Sequence, residues 1–93
     1  MQIGLFATFM SPISTPAMIQ NFAQKVEQIG VDSLWMGEHV VLFDQTSNPY
    51  PGSRNGKLPV PEGGGMLDTV ATFGLIAGCT HRIRLGSGIT LLP

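Results

Sequence analysis

Apolar and polar positions along the chain follow two periods, one typical of buried strands and one typical of a helix that covers a sheet. Residues 2–8 form a short apolar run without a helical period, which predicts a strand buried on both faces. Residues 31–36 begin a second strand, and residues 83–92 form a third that Pro93 closes. Between the first two runs, the apolar residues fall on one helical stripe: Ile19, Phe22, Ala23, Val26 and Ile29.

The first helix has start and stop signals. Thr15 can accept a hydrogen bond from an unpaired amide of the first turn, and Pro16 gives up an N–H that has no partner at the first helical position. Gly30 supplies the left-handed residue that commonly ends helices. The polar residues of the helix are predicted to face away from the sheet: Gln20, Gln24, Lys25 and Glu27.

A second helix is predicted over residues 70–80, with Asp68 or Thr69 as its cap. It is apolar around much of its circumference, so we expect burial on two sides, against its own sheet and against another helix or subunit. Strands joined through a helix by short links pair in parallel. Residues 1–93 therefore predict an α/β fold with the order (βα)2β.

A long connection, residues 41–65, joins the second strand to the second helix. It carries four prolines and five glycines, and a connection of this length inside a compact α/β unit is either functional or disordered. Because it leaves the carboxyl end of a strand, we favour a lid or substrate loop. An unstructured insertion is the alternative, and the composition by itself leaves both open.

Charge and composition argue against several classes of partner. The net charge is −1 and the five basic residues are scattered, which predicts neither nucleic-acid nor anionic-membrane binding. No apolar run approaches the ~18 residues of a membrane span, and the N-terminus lacks the basic region of a signal peptide. Cys79 is the single cysteine, which fits a reducing compartment, so we expect a cytoplasmic protein with Cys79 as a small core residue.

Glu38 and His39 stand where the second strand runs out, and such strand ends reach ligands in parallel α/β folds. His39 is the catalytic candidate, because imidazole side chains exchange protons near neutral pH. Its alternative role is to stabilise the long loop by hydrogen bonding. If the strand alternation persists, Glu38 faces the other side and supports a neighbouring strand or caps a loop. His81 lies in the next helix-to-strand turn, and we expect it to be structural.

Other chemistries have less support. The acidic, histidine and cysteine residues lack metal-ligand spacing, and no G-x-S-x-G nucleophile motif exists. Dinucleotide binding needs a glycine-rich turn after the first strand, where this chain has Ala-Thr-Phe-Met-Ser-Pro. Glycines 63–65 precede a helix without the P-loop lysine, so a phosphate role is weakly supported. Gly86 and Gly88 interrupt the third strand, which indicates a bulge or a close approach, with a bend made for packing as the alternative.

Together these features resemble the luciferase-like monooxygenase family over nearly all 93 residues. The resemblance is carried by the strand at 2–8, by residues 30–35 and 38–39, by residues 67–68, and by residues 80–88 running into 91–93. It implies that the chain is the N-terminal (βα)2β portion of a (β/α)8 TIM barrel with parallel strands. It also implies two catalytic residues: His39, the active-site histidine at the end of the second strand, and Glu38, the acidic residue before it.

The resemblance further assigns the bulge of the third strand to the cofactor. Ser87, Gly88 and Ile89 are the implied cofactor-binding residues, with a non-proline cis peptide at Gly88–Ile89 behind the flavin ring. The implied activity is an oxidoreductase that transfers hydride or activates oxygen at a reduced flavin. Its cofactor would be FMN or the deazaflavin coenzyme F-420, its substrate a small molecule, and His39 its proton donor or acceptor. Alternatives are a non-catalytic ligand-binding or assembly module and a sugar-isomerase-like barrel with metal bound by Glu38 and His39.

The length sets the last expectation. A complete barrel takes about 250 residues, so we interpret these 93 as a natural, proteolytic or engineered fragment. Open strand edges and an open sheet face would then seek a partner. We expect a homo-oligomer, or association with the rest of the barrel, and no turnover by the chain alone. A second-helix surface is predicted to contribute to this interface: Val70, Phe73, Ile76 and Ala77.

Overall fold

Three parallel strands and two helices make up most of the fold in a computed structural model of the chain. The structure describes residues 1–42 and 47–92, so residues 43–46 of the long connection and the predicted closing Pro93 lie outside the described residues. The elements are β1 (Gly4–Phe6), β2 (Met10–Ser11), α1 (Pro16–Gln28), β3 (Ser33–Met36), β4 (Gly65–Met66), α2 (Thr69–Ala77) and β5 (Arg84–Ser87).

The main sheet has the order β1-β3-β5, with both pairings parallel, which confirms the predicted α/β class and its (βα)2β order. Leu5, Leu34 and Leu85 occupy one row of the sheet. The strands are shorter than the apolar runs predicted, because pairing ends at Phe6 in β1, at Met36 in β3 and at Ser87 in β5. The last bond of β5 toward β3 runs from the Gly88 N–H to the Met36 carbonyl at 2.7 Å, and the chain then leaves the sheet.

A two-stranded antiparallel sheet, β2 with β4, was not predicted. Met10 pairs with Met66, and Ser11 pairs with Gly65. A Cβ placed on Gly64 would collide with the Ser11 carbonyl oxygen, so the close approach of the two segments requires glycine there. This contact gives Gly64 a structural purpose.

Helix α1 covers one face of the main sheet as its apolar stripe predicted. Thr15 caps it by accepting a hydrogen bond from the Met18 N–H at 3.3 Å, and Gly30 follows the helix with a φ of +89°. Ile19, Ala23 and Val26 are buried. The predicted burial of Ile29 is wrong: it is 72% exposed, because the helix ends at Gln28 and Ile29 lies beyond its last turn.

Helix α2 ends earlier than predicted, at Ala77, where Gly78 caps it. Asp68 is the N-cap and accepts a hydrogen bond from the Ala71 N–H at 2.6 Å. The predicted interface made by Val70, Phe73, Ile76 and Ala77 is not one surface. Ile76 is fully buried against Leu34 and α1 residues in the core, whereas Val70 is 72% exposed.

Cys79 also differs from its prediction as a core residue. It lies beyond the end of α2 and is only half-buried. Its Sγ donates to the Ile76 carbonyl at 3.3 Å, which places the thiol on the last turn of the helix. The early end of α2 at Gly78 explains the difference, because the chain has already turned toward β5.

Glu27 has partners that the helical stripe did not predict. Its carboxylate accepts hydrogen bonds from the backbone N–H groups of His81 and Ile83, each at 2.9 Å, and from that of Arg82. Gln24 is exposed, as predicted, and its amide donates to the Cys79 carbonyl at 3.2 Å. The Arg82 and Ile83 amides, assisted by His81, hold the pKa of Glu27 at about 2. The end of α1 therefore fastens the turn that leads into β5.

Both helices lie on the same side of the sheet, and the opposite side is open. Phe6 and Trp35 occupy one row on that side and are 57% and 42% exposed. Gly86 is the third member of the row, and a Cβ there would lie 2.6 Å from the Trp35 ring. The close approach predicted from the strand glycines is thus confirmed at Gly86, and the approaching group is the indole of the neighbouring strand.

Candidate active site at the strand ends

A cavity of about 500 Å³ opens at the carboxyl ends of the three parallel strands. Each strand contributes residues at or after its last paired position. The strand ends supply Phe6, Thr8, Gly37, Glu38, His39, Gly88, Ile89 and Leu91, and the small sheet and the long connection supply Met10, Met66, Tyr50, Leu58, Pro59 and Val60. The site therefore lies where parallel α/β sheets place their ligands.

Four of the five residues predicted for the site line this cavity: Glu38, His39, Gly88 and Ile89. Ser87 does not line it, since it is still paired with Met36 inside the sheet. The roles assigned to these five residues stay predictions. What the structure adds is that residues about fifty positions apart in the chain meet at one surface.

The backbone next to Glu38 and His39 is anchored by α2. The Thr69 hydroxyl, which is buried, donates to the Gly37 carbonyl at 3.1 Å. Strand β3 has already ended at Met36, so the condition under which Glu38 and His39 would face opposite sides is not met. Both line the same cavity, His39 as an exposed side chain and Glu38 as a half-buried one.

Glu38 has a definite partner on the neighbouring segment. One of its carboxylate oxygens accepts a hydrogen bond from the Leu91 N–H at 2.9 Å. This contact ties Glu38 to the segment that follows β5. It fastens the stretch from Gly88 to Leu91 beside the end of β3, where it forms part of the cavity wall.

Gly88 and Gly37 bring the three strand ends into contact. A Cβ on Gly37 would lie 3.2 Å from the Phe6 ring and 3.4 Å from the Gly88 carbonyl oxygen. The peptide bond between Gly88 and Ile89 is cis, where the resemblance placed it. Glycine at both positions leaves backbone and one aromatic ring as the surface that a bound molecule would meet.

Several lining residues escaped sequence reasoning. Met10 and Met66 reach the cavity because β2 pairs with β4, and no local pattern announces a two-residue strand. Tyr50 and the apolar run at 58–60 come from the long connection, which was expected to be a lid or substrate loop. The length and position of the connection indicated a functional loop, but no pattern within it indicated which of its residues line the cavity.

The described parts of the chain contain neither a candidate metal site nor a helix that could span a membrane. Residues 1–42 and 47–92 hold no group of three His, Cys, Asp or Glu side chains placed to bind a metal ion. Over the same residues, neither α1 nor α2 has the length and apolar character that a bilayer crossing requires.

Comparison with known protein families shows which family the chain belongs to. The family model described as luciferase-like monooxygenase matches residues 1–93, the whole chain. The chain belongs to the luciferase-like monooxygenase family. Neither a curated protein nor a solved structure matches it. Membership confirms the resemblance and supports a place among oxidoreductases of the monooxygenase kind, a family that is commonly flavin-dependent.

Proposed function

We propose that the chain provides part of the active site of a flavin- or deazaflavin-dependent oxidoreductase that acts on a small organic substrate. The main support for the proposal is the cavity, which His39, Gly88 and Ile89 line together in a member of the luciferase-like family. In this proposal residues 1–93 form the first (βα)2β portion of a (β/α)8 barrel, and further strands complete the site.

The residues of the cavity suit the ring system of a flavin. Gly37 and Gly88 present backbone without side chains, next to the Phe6 ring, and Ile89 and Leu91 add apolar surface. A flat aromatic ring packs well on such a surface. FMN and coenzyme F-420 share a tricyclic ring, so this lining supports both cofactors equally.

The lining suits a phosphate group less well. None of the five basic residues of the chain contributes to the cavity among the residues that the structure describes. A phosphate would need an arginine, a lysine or a cluster of backbone amides. We therefore propose that later strands hold the phosphate end of the cofactor, while this chain holds the ring.

The residues of the chain have separate tasks in this proposal. When bound, the cofactor supplies hydride transfer or oxygen activation. His39 gives or takes a proton at an imidazole nitrogen, since it lines the cavity and is exposed to a bound molecule. Glu38 holds the wall segment through Leu91, and the apolar lining keeps water away from the reacting atoms.

The test is a titration of the chain with riboflavin and with FMN, in which the fluorescence of Trp35, the single tryptophan of the chain, is measured at each ligand concentration. A Cβ on Gly88 would lie 3.9 Å from the Trp35 ring, so a flavin ring at Gly88 quenches that fluorescence. We expect saturable quenching with similar affinity for the two ligands, because the lining offers the phosphate no partner.

Gly88→Val should weaken both ligands by about tenfold, since the added side chain occupies cavity space and overpacking costs roughly 1–3 kcal/mol. Gly74→Ala is the matched control, because a Cβ there meets nothing within 4 Å and the position lies on α2. Absence of saturable quenching, or equal affinity in the parent and Gly88→Val, would contradict the proposal. Flavin binding without turnover in a completed barrel would favour the ligand-binding module instead.

A further inference from the structure

The cavity has a second side that the strand ends do not supply. Tyr50, Leu58, Pro59 and Val60 line it from the long connection. Three of these carry only hydrocarbon side chains. Among the described loop residues of the lining, Tyr50 is the one whose side chain carries a polar group. The loop side is therefore apolar, with a single hydrogen-bonding group.

A closed turn holds Tyr50 in place. The Tyr50 N–H donates to the Gly56 carbonyl at 2.7 Å, and the Ser53 N–H donates to the Tyr50 carbonyl at 3.3 Å. The Ser53 hydroxyl donates to the Lys57 carbonyl at 2.6 Å and so closes the turn. A Cβ on Gly52 would lie 2.7 Å from Cε1 of the Tyr50 ring. These hydrogen bonds fix the Tyr50 backbone, and glycine at position 52 leaves room for the Tyr50 ring.

The charges of the lining favour a neutral ligand. Glu38 supplies the one carboxylate, and no lysine or arginine lines the cavity within residues 1–42 and 47–92. An anionic ligand would lie near Glu38 without a permanent cation to pair with, and a buried charge without a partner is costly. A neutral and largely apolar molecule with one hydrogen-bond acceptor matches both the apolar wall and the Tyr50 hydroxyl.

We propose that Tyr50 is a specificity-determining residue, whose hydroxyl donates a hydrogen bond to an acceptor such as the carbonyl oxygen of a neutral, largely apolar substrate. The word substrate rests on the proposed function. The contact between Tyr50 and a neutral ligand rests on the lining and on the turn, and it can be tested without the cofactor.

Three probes of similar size separate the contributions: acetophenone carries a carbonyl, ethylbenzene lacks the oxygen, and benzoate carries a charge. Tyr50 is the only tyrosine of the chain, so its ring resonances in carbon-13 NMR spectra report the contact directly. We expect acetophenone to shift these resonances and to bind more tightly than the other two. Tyr50→Phe should weaken acetophenone by about two- to tenfold, the worth of one hydrogen bond, and leave ethylbenzene unchanged.

Arg54→Ala is the control, since Arg54 lies on the same turn, is exposed and does not line the cavity. Benzoate binding as tightly as acetophenone, Tyr50 resonances that do not move, or a Tyr50→Phe variant that binds acetophenone like the parent would each overturn the inference. The shift in the parent chain decides the question even if the variant fails to fold. Loss of riboflavin binding with an intact acetophenone response would reject the flavin proposal alone, and the reverse would reject the role of Tyr50 alone.

Discussion

Glu38 and His39 are neighbours in sequence and line one cavity, yet the structure gives them different surroundings. Glu38 is half-buried and engaged with the Leu91 amide at 2.9 Å, whereas His39 is exposed at the cavity. A group that transfers protons has to reach the bound molecule, and a group already tied to the backbone mainly holds that backbone. We infer that His39 is the proton-transfer residue and Glu38 a positioning residue.

His39→Ala should lower turnover by about 10² to 10⁴ in the enzyme completed with its remaining strands, the usual effect of losing a general acid or base. Glu38→Gln should lower it far less, because the amide oxygen still accepts the Leu91 hydrogen bond. Turnover and its pH profile are the measurements.

His81→Ala is the matched control for this series. His81 is the other histidine of the chain, and it is exposed in the turn before β5, at the opposite end of the sheet. Its replacement should leave turnover unchanged. Equal losses in the two histidine variants, or a larger loss in Glu38→Gln than in His39→Ala, would refute this division of roles.

Single residues were predictable from the sequence where a local pattern carries their role. Thr15 and Asp68 were recognisable as caps because capping needs one side chain and the next few amides. Glu38, His39 and Gly88 were recognisable from position at strand ends and from family resemblance. The role of Glu27 was not predictable, since its partners are more than fifty positions away and helical periodicity carries no information about them.

At the scale of the elements, the contact between Glu27 and residues 81–83 joins α1 to the start of β5. The same strand carries Gly88 to the cavity at its other end. Backbone amides of Arg82 and Ile83, with His81, hold the pKa of Glu27 at about 2, well below the ordinary value of 4.5. A carboxylate with a depressed pKa stabilises the fold above its unfolded-state pKa, and the contribution is lost as pH falls through the folded-state pKa.

We therefore expect Glu27→Gln to unfold at a lower temperature than the parent near neutral pH. The neutral amide lacks the negative charge that strengthens the three hydrogen bonds of the carboxylate. The difference should shrink between about pH 5 and pH 2, as the parent carboxylate becomes protonated. Melting curves across this range measure it. Glu62→Gln, an exposed change in the loop, should follow the parent throughout. Parallel curves for the parent and Glu27→Gln would show that the contact adds no charge-dependent stability.

The elements themselves were predictable to different degrees. Both helices and all three parallel strands were expected, because their periods are local. Their ends were less predictable, since a strand stops where its partner stops: β5 was expected over residues 83–92 and is paired only over Arg84–Ser87. The small sheet of β2 and β4 could not be foreseen, because two residues carry no period and their pairing spans more than fifty positions.

In the molecule as a whole, the open face of the sheet is the main apolar surface that no other element covers. Phe6 and Trp35 are exposed there, and the edges of β1 and β5 carry backbone groups that pair with no strand among the described residues. Exposed apolar faces and free strand edges attract further strands. We propose that this face is the interior of a barrel, covered by the remaining strands or, in the chain alone, by a second copy.

We propose that these residues form one part of a luciferase-like barrel and of its flavin site. Light scattering of the 93-residue chain at micromolar concentration, before and after adding riboflavin, tests it most directly. We expect a folded species of at least twice the 9.9 kDa chain mass, and no oxidoreductase turnover, since in this proposal further strands hold the phosphate end of the cofactor. A folded monomer of 9.9 kDa, or flavin-dependent turnover by that monomer, would contradict it.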